Sequence, residues 1–208
     1  MLRMSGLVLI LAFFPCVLGA QPAQDSKFQQ YSLKYGVSVQ IPKHWQIIEK
    51  RVMDQIDTNT EILTGTPQGN NEILVAANYY GIDLKKASAT VRLSVRHKKT
   101  IDQSELSSMT NDDVEFEAIV CKSSLKNALR NIDSSILVTE YKMARKKMKS
   151  FVCFETVYAL NNNERQILYV IPLGVRSIKF HLSYKLAEEH YLKPTIMHII
   201  DSFSVGVK

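Results

Sequence analysis

The stretch Gly36-Val37-Ser38-Val39-Gln40-Ile41-Pro42-Lys43-His44-Trp45 carries the strongest indication of the fold of this chain. From Tyr35 to Ile41 apolar and polar side chains alternate, which predicts a β-strand with one buried and one exposed face. Residues 42–44 predict a turn, after which the chain continues extended. A large indole ring buries much apolar area, so we expect Trp45 to anchor the edge of a sheet.

Further along the chain, the pattern of apolar residues predicts six more strands and two helices. The strands are expected at residues 73–80, 90–97, 136–143, 151–160, 165–171 and 175–184. One helix is expected at 112–131, capped by Thr110 or Asn111, and a second is expected to open near Pro194. The apolar stripe of the long helix consists of Val114, Ala118, Cys121, Leu125, Ala128, Leu129 and Ile132. These elements predict an antiparallel sheet with helices packed on it.

Two motifs in this order of elements resemble the Mog1/PsbP-like superfamily. Residues 36–45 match its opening pattern G-x-S-x-x-x-P-x-x-W, and Ile199-Ile200-Asp201-Ser202-Phe203 is similar to its closing helix. The resemblance implies an α+β fold, an α/β/α sandwich with a central antiparallel sheet. It also implies a non-enzymatic role, because known members bind a small GTPase or the lumenal side of a photosystem. The chain looks most like the exported bacterial branch, which has no assigned role, and the resemblance implies no catalytic residues.

The N-terminus resembles an export signal. Arg3 precedes an apolar run from Gly6 to Phe14, and small residues follow as far as Ala20. This pattern predicts a signal peptide at 1–20, cleaved after Gly19 or Ala20. A membrane anchor is disfavoured because a span needs about 20 apolar residues. A lipid-modified Cys16 is disfavoured because bulky residues precede it.

The remaining chain is expected to hold a flexible lead-in at 21–30 and a single domain at 31–208. No apolar run of membrane-spanning length follows, so no transmembrane segment is predicted in the mature chain. We therefore expect a periplasmic or secreted protein.

The charge of the chain is moderately positive. The net charge is +6, and removal of Arg3 with the signal peptide lowers it to +5. This balance predicts an anionic partner, either another protein or an anionic envelope surface, and not nucleic acid. The strongest local bias is the basic run Lys142, Arg145, Lys146, Lys147 and Lys149. It indicates either contact with an anionic surface or a solvated hairpin loop, and its shortness favours the loop.

No motif in the sequence predicts catalysis, a metal or a cofactor. The histidines lack metal-binding spacing, and neither a nucleophile elbow nor a phosphate-binding loop is present. His181 is expected to face solvent. The sequence thus predicts a soluble binding or accessory module of the cell envelope. The alternative is a small envelope hydrolase whose site is assembled from distant residues, which would need a deep pocket with converging polar groups.

Signal cleavage would leave two cysteines, Cys121 and Cys153. An oxidising compartment favours disulfides, and the helix that carries Cys121 is expected to face the strand that carries Cys153. We therefore predict a disulfide between them. The alternative is two separate buried thiols, since free cysteine is often buried.

Overall fold

The computed structural model of the chain describes residues 27–55, 70–81 and 85–206. The predicted signal peptide at 1–20 and the beginning of the predicted lead-in lie outside these residues.

The described residues form strands and helices in an α+β arrangement. The strands are β1 (Phe28–Ser32), β2 (Val37–Pro42), β3 (Gln46–Ile47), β4 (Asn71–Tyr79), β5 (Ala89–Arg96), β6 (Val138–Met148), β7 (Phe151–Leu160), β8 (Glu164–Pro172), β9 (Ser177–Lys185) and β10 (Ser204–Val205). The helices are α1 (50–55), α2 (Gln103–Ser108), α3 (Asn111–Ile132) and α4 (Glu189–Ser202). Short 3-10 turns lie at Lys34–Gly36 and Leu186–Glu188.

The strands form two antiparallel sheets. The large sheet has the strand order β3-β4-β5-β9-β8-β7-β6, and the small sheet has the order β1-β2-β10. In the large sheet the register pairs Leu93 with Phe180 and Phe180 with Tyr169. Because side chains alternate along a strand, these three residues share one face, which we call the inner face. The opposite face, which carries Arg92 and His181, is the outer face.

Helices cover both faces of the large sheet. On the inner face, α4 and the small sheet enclose the core, in which Phe180 stacks on Phe203 with ring centroids 4.9 Å apart. On the outer face, α2 packs on β7 and α3 packs on β6. The predicted fold, an α/β/α sandwich around a central antiparallel sheet, is therefore confirmed. Trp45 is buried and stacks on Tyr79, as expected for an anchor at the sheet edge.

Three predicted boundaries need correction. Strand β1 begins at Phe28 and pairs with β2, so the last three residues of the predicted lead-in are ordered strand. Helix α4 begins at Glu189, before the predicted start, and holds Pro194 inside its span. Four of the five residues of the basic run lie in β6, an edge strand of the large sheet, where lysines discourage pairing with another chain, and Lys149 lies in the turn that follows.

The predicted disulfide is not formed, and both cysteines are free. Helix α3 lies on the outer face, where Lys122 sits 5.8 Å above the ring of Tyr141, and the neighbouring Cys121 is exposed. Cys153 is fully buried in the core of the inner face. The sequence indicated correctly that the helix packs on the sheet. It could not show that Cys153 points to the opposite side.

Candidate functional site

Several strand ends and turns lie together at one end of the large sheet because its strands are antiparallel. Arg96 at the end of β5 pairs with both Asn71 and Ser177, the first residues of β4 and β9. Ser177 in turn pairs with Pro172, the last residue of β8. The turn between β6 and β7 comes just before Phe151 and lies at this same end of the sheet.

This end of the molecule is strongly basic, and we call it the basic end. It is defined by seven cationic side chains: Lys34, Arg96, Lys98, Lys99, Lys147, Lys149 and Arg176. The carboxylates of the described residues at this end, Glu72, Asp102 and Glu105, already have hydrogen-bond partners. Glu72 pairs with Lys34 at 2.6 Å, while Asp102 accepts hydrogen bonds from the first turn of α2 and Glu105 accepts one from the Asp102 N–H. Among the described residues, no salt bridge involves the other six cations. The basic end therefore presents excess positive charge to its surroundings.

The residues of the basic run make different contacts in the structure. Arg145 donates hydrogen bonds to the carbonyls of Leu106, Ser107 and Met109 and so binds the end of α2 to the sheet. Lys146 pairs with Glu155 at 2.6 Å. Lys142 is exposed in the middle of β6. The structure does not bring the five residues of the run to one surface, and only Lys147 and Lys149 belong to the basic end.

A polar cluster surrounds Glu72 at this end. The hydroxyl of Tyr35 donates to Glu72 Oε2 at 2.7 Å and lies 3.3 Å from His97 Nε2. The hydrogen bond from Lys34 lowers the pKa of Glu72 most, followed by those from Tyr35 and His97, and the pKa falls to about 2. A carboxylate with so low a pKa is a poor proton acceptor near neutral pH. The cluster is thus suited to holding Tyr35 in place and poorly suited to acid–base catalysis.

A cavity of about 320 Å³ lies beside Tyr35. The guanidinium of Arg176 lies 4.8 Å from the centre of the Tyr35 ring, a cation–π contact. The Nε of Arg176 is buried and has no hydrogen-bond partner among the described residues. The remaining wall is formed by Gly36, Phe151, Leu173, Val205 and Gly206.

The backbone beside this cavity is unusual. Tyr35 has a φ of 60°, in the left-handed region that side chains other than glycine rarely adopt. Gly36 follows with a φ of 70°, and a Cβ at this position would lie 2.9 Å from the carbonyl oxygen of Gly206. Only glycine fits here without strain. Glu72, Arg176 and Gly206 together hold Tyr35 in a conformation that costs about 1–3 kcal/mol elsewhere.

Three further observations concern possible metal binding, membrane insertion and the position of His181. In the described parts of the chain, no group of three or more His, Cys, Asp or Glu side chains could hold a metal ion. Of the helices formed by these residues, none is long and apolar enough to cross a membrane. His181 lies on the outer face, as expected, but is only partly exposed, and its Nε2 lies 2.8 Å from Gln166 Oε1.

The comparison with known proteins rests on structure, since no protein-family model and no curated protein matches the sequence. The solution structure of cyanobacterial PsbP (CyanoP) from Synechocystis sp. PCC 6803 is similar to this chain with a TM-score of 0.54. The match covers 91% of this chain and 99% of that chain at 14% sequence identity. The chain has the PsbP-like fold. The resemblance predicted from two short motifs is therefore confirmed at the level of the fold.

Two other solved structures align less well. LpqN, involved in cell envelope biogenesis of Mycobacterium tuberculosis, aligns with a TM-score of 0.43 and 13% identity, covering 82% of this chain and 83% of that chain. A protein from Bacteroides thetaiotaomicron aligns with a TM-score of 0.35 and 10% identity, covering 88% and 50%. The assignment of this PsbP-like chain rests on the first structure alone.

Only part of the basic end can be predicted from the sequence. Lys147 and Lys149 belong to the basic run, whereas Lys34 and Arg176 are separate in the sequence and Arg96, Lys98 and Lys99 form a short cluster of their own. Each of them lies beside the end of a predicted strand. Once the strand order is known, their convergence follows from the antiparallel register.

Proposed function

We propose that this PsbP-like chain is an exported, non-enzymatic accessory module that docks through its basic end onto an acidic surface of another envelope protein. The observation that carries the proposal is the convergence of seven cations at one end, where the carboxylates of the described residues already have hydrogen-bond partners. Export is supported by the N-terminal signal pattern. A positive patch of this kind steers association with an acidic partner and sets its orientation.

A protein partner is favoured over a lipid surface by the shape of the basic end. Insertion into a bilayer requires apolar side chains that project outward. Of the large apolar residues at the described part of this end, only Val175 is strongly exposed. The same end carries a cavity with an arginine and a tyrosine in its wall, and these residue types are common at the centres of protein interfaces.

The proposal is tested with two variants that each lose four positive charges, one at the basic end and one elsewhere on the surface. One variant of the mature protein carries Lys98→Ser, Lys99→Ser, Lys147→Ser and Lys149→Ser. A matched control carries Lys43→Ser, Lys126→Ser, Lys142→Ser and Lys193→Ser, which removes the same charge from exposed sites elsewhere. Each protein is used to recover partners from an envelope extract at low salt, and the recovered proteins are identified and quantified by mass spectrometry.

We expect the unmodified protein and the control to recover the same acidic protein, and the basic-end variant to recover at least about tenfold less, equivalent to about 1.4 kcal/mol. Recovery should also fall as salt is added, because salt screens exposed charges. Equal losses in both variants would mean that only total charge matters and would refute docking through the basic end. Binding of the unmodified protein, but not the basic-end variant, to anionic lipid vesicles in place of a protein would refute a protein partner.

A further inference from the structure

We propose that the cavity beside Arg176 is a binding site for a carboxylate carried by a small apolar group. This inference deepens the proposed function, and it rests on that function where the carboxylate belongs to the docking partner.

Arg176 supplies the donor. Its guanidinium is held against the ring of Tyr35, and it forms no salt bridge among the described residues. Burying an N–H group without a partner is unfavourable, and the Nε of Arg176 is in this state. A guanidinium presents N–H groups in a planar fork that matches the two oxygens of a carboxylate. A carboxylate in the cavity would therefore meet a group of opposite charge and matching shape.

The rest of the wall selects the group attached to the carboxylate. Phe151, Leu173 and Val205 line the cavity and are only partly buried in the core. A cavity of about 320 Å³ is at the small end of the range for ligand sites. It suits one apolar side chain together with its carboxylate, and it is too small for a nucleotide or a long acyl chain.

The frame of the cavity is held in place before any ligand binds. Tyr35 is fixed by its hydrogen bond to Glu72, and Gly206 N–H donates to the Gly36 carbonyl at 2.8 Å. Lys34 neutralises Glu72, so this carboxylate neither pairs with Arg176 nor strongly repels an incoming anion. A preformed site loses less entropy on binding than one that must be ordered. The left-handed conformation of Tyr35 is part of this preformed frame.

Two sources could supply such a carboxylate: the C-terminal residue of a partner protein, or a free small acid. Four probes distinguish them: N-acetyl-leucine, N-acetyl-leucinamide, and the peptide acetyl-Gly-Gly-Leu with either a free or an amidated C-terminus. Each is titrated into the mature protein while the backbone amide resonances are followed by NMR. Tighter binding of the free-acid peptide than of N-acetyl-leucine would indicate a protein terminus, and the reverse would indicate a small acid.

We expect saturable shifts at Gly36, Phe151 and Gly206 with both acids, and at least about tenfold weaker binding of both amides. Arg176→Met should abolish the preference for acids. Arg176→Lys keeps the charge but loses the fork, so it should weaken the acids and retain a preference for them. Thermal unfolding checks that each variant is folded. If Arg176→Met is unfolded, the Arg176→Lys titration decides.

Equal binding of acids and amides would overturn the inference, as would unchanged acid binding by a folded Arg176→Met protein. Loss of all preference for acids in a folded Arg176→Lys protein would also contradict the inference, because this variant keeps the positive charge.

The four-lysine variant of the basic end should bind the acids normally. If it does so but still recovers a partner as well as the unmodified protein, only the proposed function fails. If docking is lost as proposed and the acids do not bind, only the present inference fails.

Discussion

Replacing Gln103 by leucine is expected to lower the free energy of unfolding by about 3 kcal/mol. The Gln103 side chain bridges β7 and β8 where their direct pairing has ended. Its Nε2 donates to the carbonyls of Val152 and Pro172 at 3.1 and 2.7 Å, and its Oε1 accepts from the Val152 N–H at 2.8 Å. Leucine fills similar space but leaves three partly buried backbone groups without partners. Urea unfolding followed by circular dichroism measures the loss.

Gln30→Leu is the matched control, because it makes the same chemical change on an exposed position of β1. It should alter stability by less than about 0.5 kcal/mol, as is usual for surface sites. A similarly small effect of Gln103→Leu would show that water satisfies these groups and that Gln103 does not join the strands.

Acidification from about pH 6.5 to about pH 4 is expected to cost the fold about 2–3 kcal/mol through His181. Burial lowers the pKa of His181 from 6.5 to about 4, and the neighbouring charges of Arg92 and Lys179 lower it further. Below pH 6.5 the unfolded chain binds a proton at this residue that the folded chain does not. The unfolded state is therefore stabilised over this window, and the loss is complete below about pH 4.

Unfolding by urea at pH 7.0, 5.5 and 4.5 tests this expectation in the unmodified protein, in His181→Gln and in the control His190→Gln, which alters an exposed histidine. The stability of His181→Gln should fall less steeply with acidification than that of the other two. Parallel pH profiles for all three proteins would show that His181 is readily protonated in the folded state.

Much of the fold could be predicted from the sequence because most strands of the large sheet have at least one clear apolar face. Strands β5 and β9 alternate cleanly between apolar and polar residues, and the apolar residues of each lie on its buried face. Thr110 was correctly named as a candidate cap of the long helix, where it accepts from the Asp113 N–H. These features depend on local periodicity and on capping chemistry, both of which a single sequence contains.

The remaining features depend on long-range pairing. Helix α2 buries one side chain, Leu106, and is otherwise too short and polar to show a period. The small sheet unites residues from the two ends of the described chain, as in the pairing of Ser38 with Ser204. In the described part of the chain no strand pairs with the outer edge of β6, so its charges resemble those of a loop. Helix α2, β1, β10 and the second half of β6 lack a local apolar pattern that would predict them.

The candidate site was harder to predict than the fold because it is formed by strand ends. Arg96 and Arg176 are 80 positions apart in the sequence, and only the strand order brings them to one end. The left-handed backbone at Tyr35 and Gly36 delays the start of the predicted strand, so β2 begins at Val37 rather than at Tyr35.

The central claim, docking through the basic end, is tested most directly by photocrosslinking from defined positions. A benzophenone side chain is placed at Val175, which is 76% exposed at the basic end, or at Phe116, which is 65% exposed on α3. Both proteins are irradiated in the same envelope extract, and crosslinked products are identified by mass spectrometry. The account predicts a single dominant partner crosslinked from position 175 and not from position 116. Crosslinking of that partner from position 116, with none from position 175, would contradict it.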